Sequence, residues 1–268
     1  MKIYTDIYEN VAAPEKLFAS WEMFHRGKQR RRDVMAFEHD LEQNIFALHR
    51  QLRNKTYCHD GYHAFYINDP KRRHIHKATV KDRVVHHALY AVLEPIFEPT
   101  FVYDSYSCRK GKGVHRGVER AARFLRKVSV NNTAPCYVLK CDIQKFFASV
   151  DHDILFSLIQ RKIADPDVVW LVKKIIDSFP LGIPIGNLTS QIFANIYLHE
   201  LDHYIKQELN IRQYARYTDD FIIIHNSKSQ LRAWLAEIHK FLEQKLKLKL
   251  HPQKITIRAY HQGIDFLG

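Results

Sequence analysis

Asp219 and Asp220 are adjacent in Tyr217-Thr218-Asp219-Asp220, between the apolar runs Gln213–Tyr217 and Phe221–Ile224. That pattern predicts a β-hairpin with two carboxylates at its tip. Asp142 closes the run Val138-Leu139-Lys140-Cys141-Asp142, which reads as a second buried strand. An Asp pair in a turn is by itself commonly only a turn, because Asp tolerates turn geometry. Three carboxylates from two strand ends are also a suitable oxygen set for Mg²⁺, which takes few ligands from protein. Two such ions clamp the attacking and leaving oxygens of an in-line phosphoryl displacement, the chemistry of nucleotide polymerisation.

The surroundings suit a polyanionic substrate. The chain has 268 residues, with 41 Lys and Arg against 29 Asp and Glu, a net charge of +12. This surplus favours nucleic acid and makes binding salt-dependent. Arg26, Lys28, Arg30, Arg31 and Arg32 form one basic run; Lys110 and Lys112 lie in a second, Gly-punctuated loop, Tyr106–Gly113. These are the candidate nucleic-acid contacts. No apolar run reaches the length of a membrane span and no signal-peptide pattern opens the chain, so a cytoplasmic protein without a membrane partner is expected. Cys58, Cys108, Cys136 and Cys141 lack metal-ligand spacing and read as free thiols.

The elements that position the carboxylates follow from periodicity. Helices are expected over Pro14–His25, Phe37–Leu52, Asp82–Phe97 with Asp82 as cap and Pro95 as stop, Ile154–Ile163, Val168–Phe179, Leu188–Leu209 and Ser229–Leu246. Strands are expected at Gly61–Asn68, after an Asp69-Pro70 turn at Lys71–His76, and at Lys254–Ala259. From Val138 onward the order is strand, helices, hairpin, helix, strand. This is an α+β pattern, with helices on one face of an antiparallel sheet and the carboxylate face open.

Assembled in order, these segments resemble the bacterial reverse transcriptases that include group II intron and retroelement enzymes. The motifs are Lys71–Arg83, Tyr106–Gly113, Asp142–Val150, Gly182–Gln191, Tyr217–Asp220, Leu248–Lys254 and Phe266-Leu267-Gly268. The resemblance implies a right-hand polymerase fold, with N-terminal helices and fingers over 1–137 and a palm over 138–268. Residues 160–190 are expected to pack toward the fingers. Relatives continue into a helical thumb where this chain stops, so the thumb is expected to be absent. Ile185-Gly186-Asn187-Leu188-Thr189-Ser190-Gln191 is similar to reverse transcriptases of diversity-generating retroelements, where most relatives carry Gln-Gly and Ser-Pro.

The resemblance further implies roles. Asp142, Asp219 and Asp220 would be catalytic and, with the Ile143 carbonyl, hold two Mg²⁺ ions, for which Mn²⁺ is a substitute. Lys71, Arg73, Arg109, Phe147, Ile185, Gly186, Gln191 and Lys254 would contact the incoming dNTP, with Phe147 excluding a ribose 2′-hydroxyl. Phe146 and Phe147, read as strand neighbours, would point to opposite faces. Phe266, Leu267 and Gly268 would form the primer grip. Expected partners are an RNA template, a DNA or RNA primer and dNTPs, with a small basic accessory protein or structured retroelement RNA as further candidates. The expected function is RNA-directed DNA synthesis, error-prone through Ile185. The alternatives are an intron-type or antiviral-defence enzyme, a catalytically weak RNA-binding polymerase fold needing a thumb or partner, and an RNA-dependent RNA polymerase.

Overall fold

The computed structural model describes residues 2–68 and 72–267; the expected turn at Asp69-Pro70, together with Lys71 and Gly268, lies outside the described residues. The chain forms two compact units, Met1–Pro99 with His152–Phe193 and Thr100–Asp151 with Ala194–Gly268. In chain order the first unit opens with helices α1 (Glu9–Ala12), α2 (Pro14–His25), α3 (Arg32–His39) and α4 (Leu41–Arg53). Strands β1 (His63–Ile67) and β2 (Arg73–Lys77) follow, then helix α5 (Val80–Phe97). Helix α6 (Val114–Val128), strand β3 (Tyr137–Asp142) and the helical turn α7 (Phe146–Ser149) belong to the second unit. Helices α8 (His152–Gln160) and α9 (Pro166–Asp177) belong to the first, and α10 (Leu188–His203) starts there and ends in the second. The second unit closes with β4 (Tyr214–Tyr217), β5 (Asp220–His225), helix α11 (Lys228–Leu246) and β6 (Thr256–Ala259).

In the first unit α2 and α5 pack through Leu17, Trp21, Phe24, Val84, Val85 and Leu89, all essentially buried. The α5 boundary differs from the sequence reading at both ends. Thr79 is the N-cap, its hydroxyl accepting from the Asp82 N–H. The Asp82 carboxylate is fully buried, accepting from the Tyr57 hydroxyl at 2.7 Å and the Thr79 hydroxyl at 2.6 Å. Pro95 lies inside the helix rather than ending it: proline forfeits one backbone bond there, but Phe97 and Ile96 are buried and hold the last turn. Likewise the single helix expected over 37–52 is two, α3 and α4, broken at Asp40.

In the second unit the four strands form one antiparallel sheet of order β4-β5-β3-β6. Period-2 alternation gives each face a separate duty. Helix α10 supplies Asp202 and α11 supplies Ile238 and Leu242 as backing for one face. On the other, Val138, Ala215, Ile222 and Ile224 pack with Ala121 and Phe124 of α6 and with Phe266. The carboxylate face is therefore not wholly open: α6 covers one part of it, and Lys140, Asp142 and Asp220 occupy the half-buried remainder.

A buried ion pair fixes the hairpin. Arg216 Nε and Nη2 fork the Asp202 carboxylate at 2.7 and 2.6 Å, and both side chains are within 1% of complete burial. Tyr214 donates to the same carboxylate at 2.6 Å. Removing one partner of such a pair strands the other charge in low dielectric. Arg216→Ala is expected to lose about 3–5 kcal/mol in chemical denaturation of the sheet unit. A loss under about 1 kcal/mol would show that the pair does not hold the hairpin.

Candidate active site

Register brings two of the carboxylates face to face. Asp142 and Asp220 are direct cross-strand partners at the ends of β3 and β5, and Tyr217 pairs with Asp220 across a two-residue turn of Thr218 and Asp219. The Asp219 carbonyl accepts from the Ile143 N–H at 3.1 Å, which ties the tip to the continuation of β3. Such a turn calls for positive φ at its first central residue, and Thr218 has φ +54°. A β-branched residue is strained in that region. Its neighbours hold it: Arg216 Nη1 donates to the Thr218 carbonyl at 3.0 Å, and the Thr218 hydroxyl donates to Ser107 Oγ at 2.6 Å. Ser107 is itself placed by Asn195, whose amide donates to its carbonyl at 3.0 Å.

Two lysines supply counter-charge that the tetrad alone does not. Lys140 Nζ lies 3.4 Å from Asp220 Oδ2 and donates to the Asp265 carbonyl. It stands two residues before Asp142, hence on the same strand face. Lys254 Nζ donates to Asp142 Oδ2 at 2.8 Å. The segment carrying Lys254 is zipped to the strand end, with Gln144 N–H donating to the Lys249 carbonyl and His251 N–H to the Asp142 carbonyl, each at 2.8 Å. Lys254 ends a 3-10 turn, Pro252–Lys254, rather than starting the strand; Pro252 opens that turn and His251 Nδ1 accepts from the Gln253 N–H.

The site fits a divalent cation. Asp220 Oδ1 is buried without a hydrogen-bond partner, an acceptor that a cation would satisfy. Burial, with Asp142 and Asp219 adding repulsion and Lys140 opposing, pushes the Asp220 carboxyl up to about 6. Among the described residues no three His, Cys or acidic side chains converge in ligand geometry.

The remaining expected residues fall in both units. Phe146 and Phe147 are on the helical turn α7, not a strand, because Lys145 at φ +46° turns the chain before them. Phe146 is buried, Phe147 half-buried, and their rings meet edge to face at 5.3 Å. Arg109 Nη1 donates to the Val102 and Ser105 carbonyls at 2.7 and 2.8 Å, bracing its own loop. Lys112 is drawn onto the Tyr103 ring, and Lys110 is exposed. Phe266 is buried in the core cluster with Ala121 and Phe124 of α6, and the partly buried Leu267 packs against it. In the first unit Arg73, Arg26, Arg30, Arg31 and Arg32 are exposed, and Lys28 is half-buried. The Ile185 carbonyl accepts from His76 N–H at 2.9 Å, Gly186 has φ +115° and Gln191 is exposed.

Residues 68–268 match the family described as reverse transcriptase (RNA-dependent DNA polymerase), and the chain belongs to that family. Its fold is the right-hand polymerase fold, with an antiparallel sheet backed by helices. It is 27% identical over 231 residues to Protein YkfC of Escherichia coli (strain K12), covering 70% of this chain and 60% of that protein. It is 24% identical over 345 residues to the group II intron-encoded protein LtrA of Lactococcus lactis subsp. cremoris, covering 100% of this chain and 56% of that protein. The chain thus spans 60% and 56% of the length of these two relatives. Among solved structures it is similar to apo telomerase from Candida tropicalis, with a TM-score of 0.56 at 13% identity, covering 79% of this chain and 47% of that one.

The raised Asp220 carboxyl has a consequence for stability. Between 3.8, its ordinary value, and about 6 the folded chain holds this proton more tightly than the unfolded chain. Ionisation therefore subtracts stability as pH rises through that window, and the deficit is complete above it. In chelator, Asp220→Asn is expected to melt higher than the parent at pH 8, with the difference shrinking toward pH 4. A lower melting temperature at pH 8 would mean that the Lys140 ion pair outweighs burial and repulsion.

Proposed function

We propose that this chain is an RNA-directed DNA polymerase that adds dNTPs to a primer 3′-hydroxyl on an RNA template. The carrying observation is the Asp142–Asp220 cross-strand pair beside Asp219, with cationic groups already drawn to two of the three. Asp142, Asp219, Asp220 and the Ile143 carbonyl would hold two Mg²⁺ ions, or Mn²⁺ in their place. Bound there, the ions would neutralise charge on the attacking and leaving oxygens. The primer hydroxyl loses its proton to water as its oxygen bonds to the α-phosphorus, the bond to the β-phosphate oxygen breaks, and pyrophosphate leaves; positioning and charge neutralisation carry such transfers. Lys254 would protonate the departing pyrophosphate, a reading supported by its ammonium lying against Asp142. Phe147, only half-buried, keeps ring surface available against a ribose 2′-hydroxyl. The exposed arginines of the first unit supply phosphate contacts, and Lys71 and Gly268 keep their sequence-based roles at the triphosphate and primer. Among the described residues no helix is long and apolar enough to cross a membrane.

Asp142→Ala and Asp219→Ala are each expected to reduce Mg²⁺-dependent primer extension on RNA by at least about 10³-fold with circular dichroism unchanged. Extension within tenfold of the parent by Asp219→Ala would overturn the assignment.

Within the family we favour a mutagenic retroelement enzyme. Ile185 offers no side-chain donor or acceptor where relatives carry glutamine, and loose positioning of the nucleotide blunts discrimination. Ile185→Gln is expected to lower misincorporation severalfold while basal extension persists; identical error spectra from one RNA template would return Ile185 to packing. The alignment with the intron-encoded protein, which covers 100% of this chain and 56% of that protein, supports the other reading, an intron-type enzyme. Binding of an intron RNA in preference to a retroelement template repeat would decide for it.

A further inference from the structure

A cavity of about 170 Å³ opens at the start of α10 in the first unit, lined by Phe24, Lys28, Arg83, His87, Gly186 and Gln191 among others. It has room for several waters at about 30 Å³ each, and no Asp or Glu lines it. Arg83 Nη1 is buried without a hydrogen-bond partner, and its guanidinium lies over the Phe24 ring at 4.4 Å. Lys28 Nζ donates once, to the Phe24 carbonyl at 2.5 Å, leaving two of its three donors for another acceptor. Among the described residues neither cation has a carboxylate at ion-pair distance; Asp33, the acid acting most on Arg83, is bonded to Lys77.

The two cations thus line one cavity with no carboxylate in its wall. Burial, then Arg83 and Arg31, lowers the Lys28 ammonium from its ordinary value. Burial, then Lys28 and Arg83, lowers His87 to about 4, so this imidazole is neutral at physiological pH. A buried, unpaired guanidinium donor is costly unless something accepts from it. Gly186 adds a wall without a side chain: at φ +115° a Cβ would lie 2.8 Å from Ile75 Cγ2. Bare backbone at the head of a long helix also favours an anion.

We propose that this cavity is a phosphate subsite, in which Arg83 Nη1 and Lys28 Nζ hold one phosphoryl group and the exposed Gln191 amide sits at its rim. The source of that group, an internucleotide phosphate of a bound strand or the phosphates of a nucleotide, rests on the polymerase reading; the anion chemistry does not.

The test uses the full chain and inorganic phosphate. Phosphate is expected to raise the melting temperature above that in sodium chloride of equal ionic strength, and Lys28→Met and Arg83→Met to abolish the rise. Should Arg83→Met fail to fold, Lys28→Met, with Lys28→Arg as rescue, carries the test, because Lys28 is only half-buried. No rise in the parent, or an undiminished rise in Lys28→Met, overturns the site. Two further arms assign the source. Lys28→Met is expected to weaken single-stranded RNA binding roughly tenfold and to lower its salt slope by about one if the group belongs to a strand. It weakens dNTP binding with RNA affinity intact if the group belongs to a nucleotide. Both affinities unchanged would overturn the nucleic-acid assignment. A persistent phosphate response in a chain that extends no primer would sink the polymerase reading and leave the subsite standing.

Discussion

Like charges held together in a half-buried place are the constraint around which the second unit is built. Coulomb repulsion between carboxylates at a few ångström is worth several kcal/mol at protein-surface dielectric. Nothing in a β-hairpin resists it by itself. The sheet supplies resistance through backbone geometry: the register of β3 against β5 places Asp142 opposite Asp220, and the turn between β4 and β5 leaves Asp219 only one position. Lys140 and Lys254 reduce the repulsion without saturating the acceptors. The site is thus charged and supported from outside, with Asp220 Oδ1 left without a hydrogen-bond partner.

The support has layers. Asp202 holds Arg216, Arg216 holds the Thr218 carbonyl, and Ser107 holds the Thr218 hydroxyl. Each link spends a buried polar group, which is tolerable only because each is satisfied. The strain at Thr218 is stored where it sets the direction of the neighbouring carboxylates, in keeping with the clustering of strained backbone at functional positions.

Much of this was legible in the sequence, and the illegible parts share a cause. The tetrad, its flanking strands, the long helices and the order of motifs are local patterns, and local patterns survive without a structure. Lys140 could have been found, since two residues before Asp142 on a strand means the same face. Arg216 gave a weaker signal, a lone cation inside an otherwise apolar strand; its partner Asp202 lies on another element and carries no local mark. Pro95 was misread because tertiary burial of Phe97 overrides the breaker. The helical turn at Phe146 and the position of Lys254 depend on a single positive φ at Lys145 and on Pro252. The bonds of Arg109 Nη1 to the carbonyls of its own loop carry no local mark, because composition shows charge and hides what that charge already touches.

The loop that carries Ser107 also adds a strand-like rung outside β4. Arg216 N–H donates to the Asp104 carbonyl and Tyr106 N–H to the Arg216 carbonyl, each at 2.9 Å. That edge of the sheet is consequently closed to pairing with another chain. The opposite edge, β6, is four residues long and exposes Arg258. A short charged edge is a poor template for edge-to-edge self-association. The arrangement that steadies the hairpin thereby also guards both edges of the four-stranded sheet against pairing with another strand.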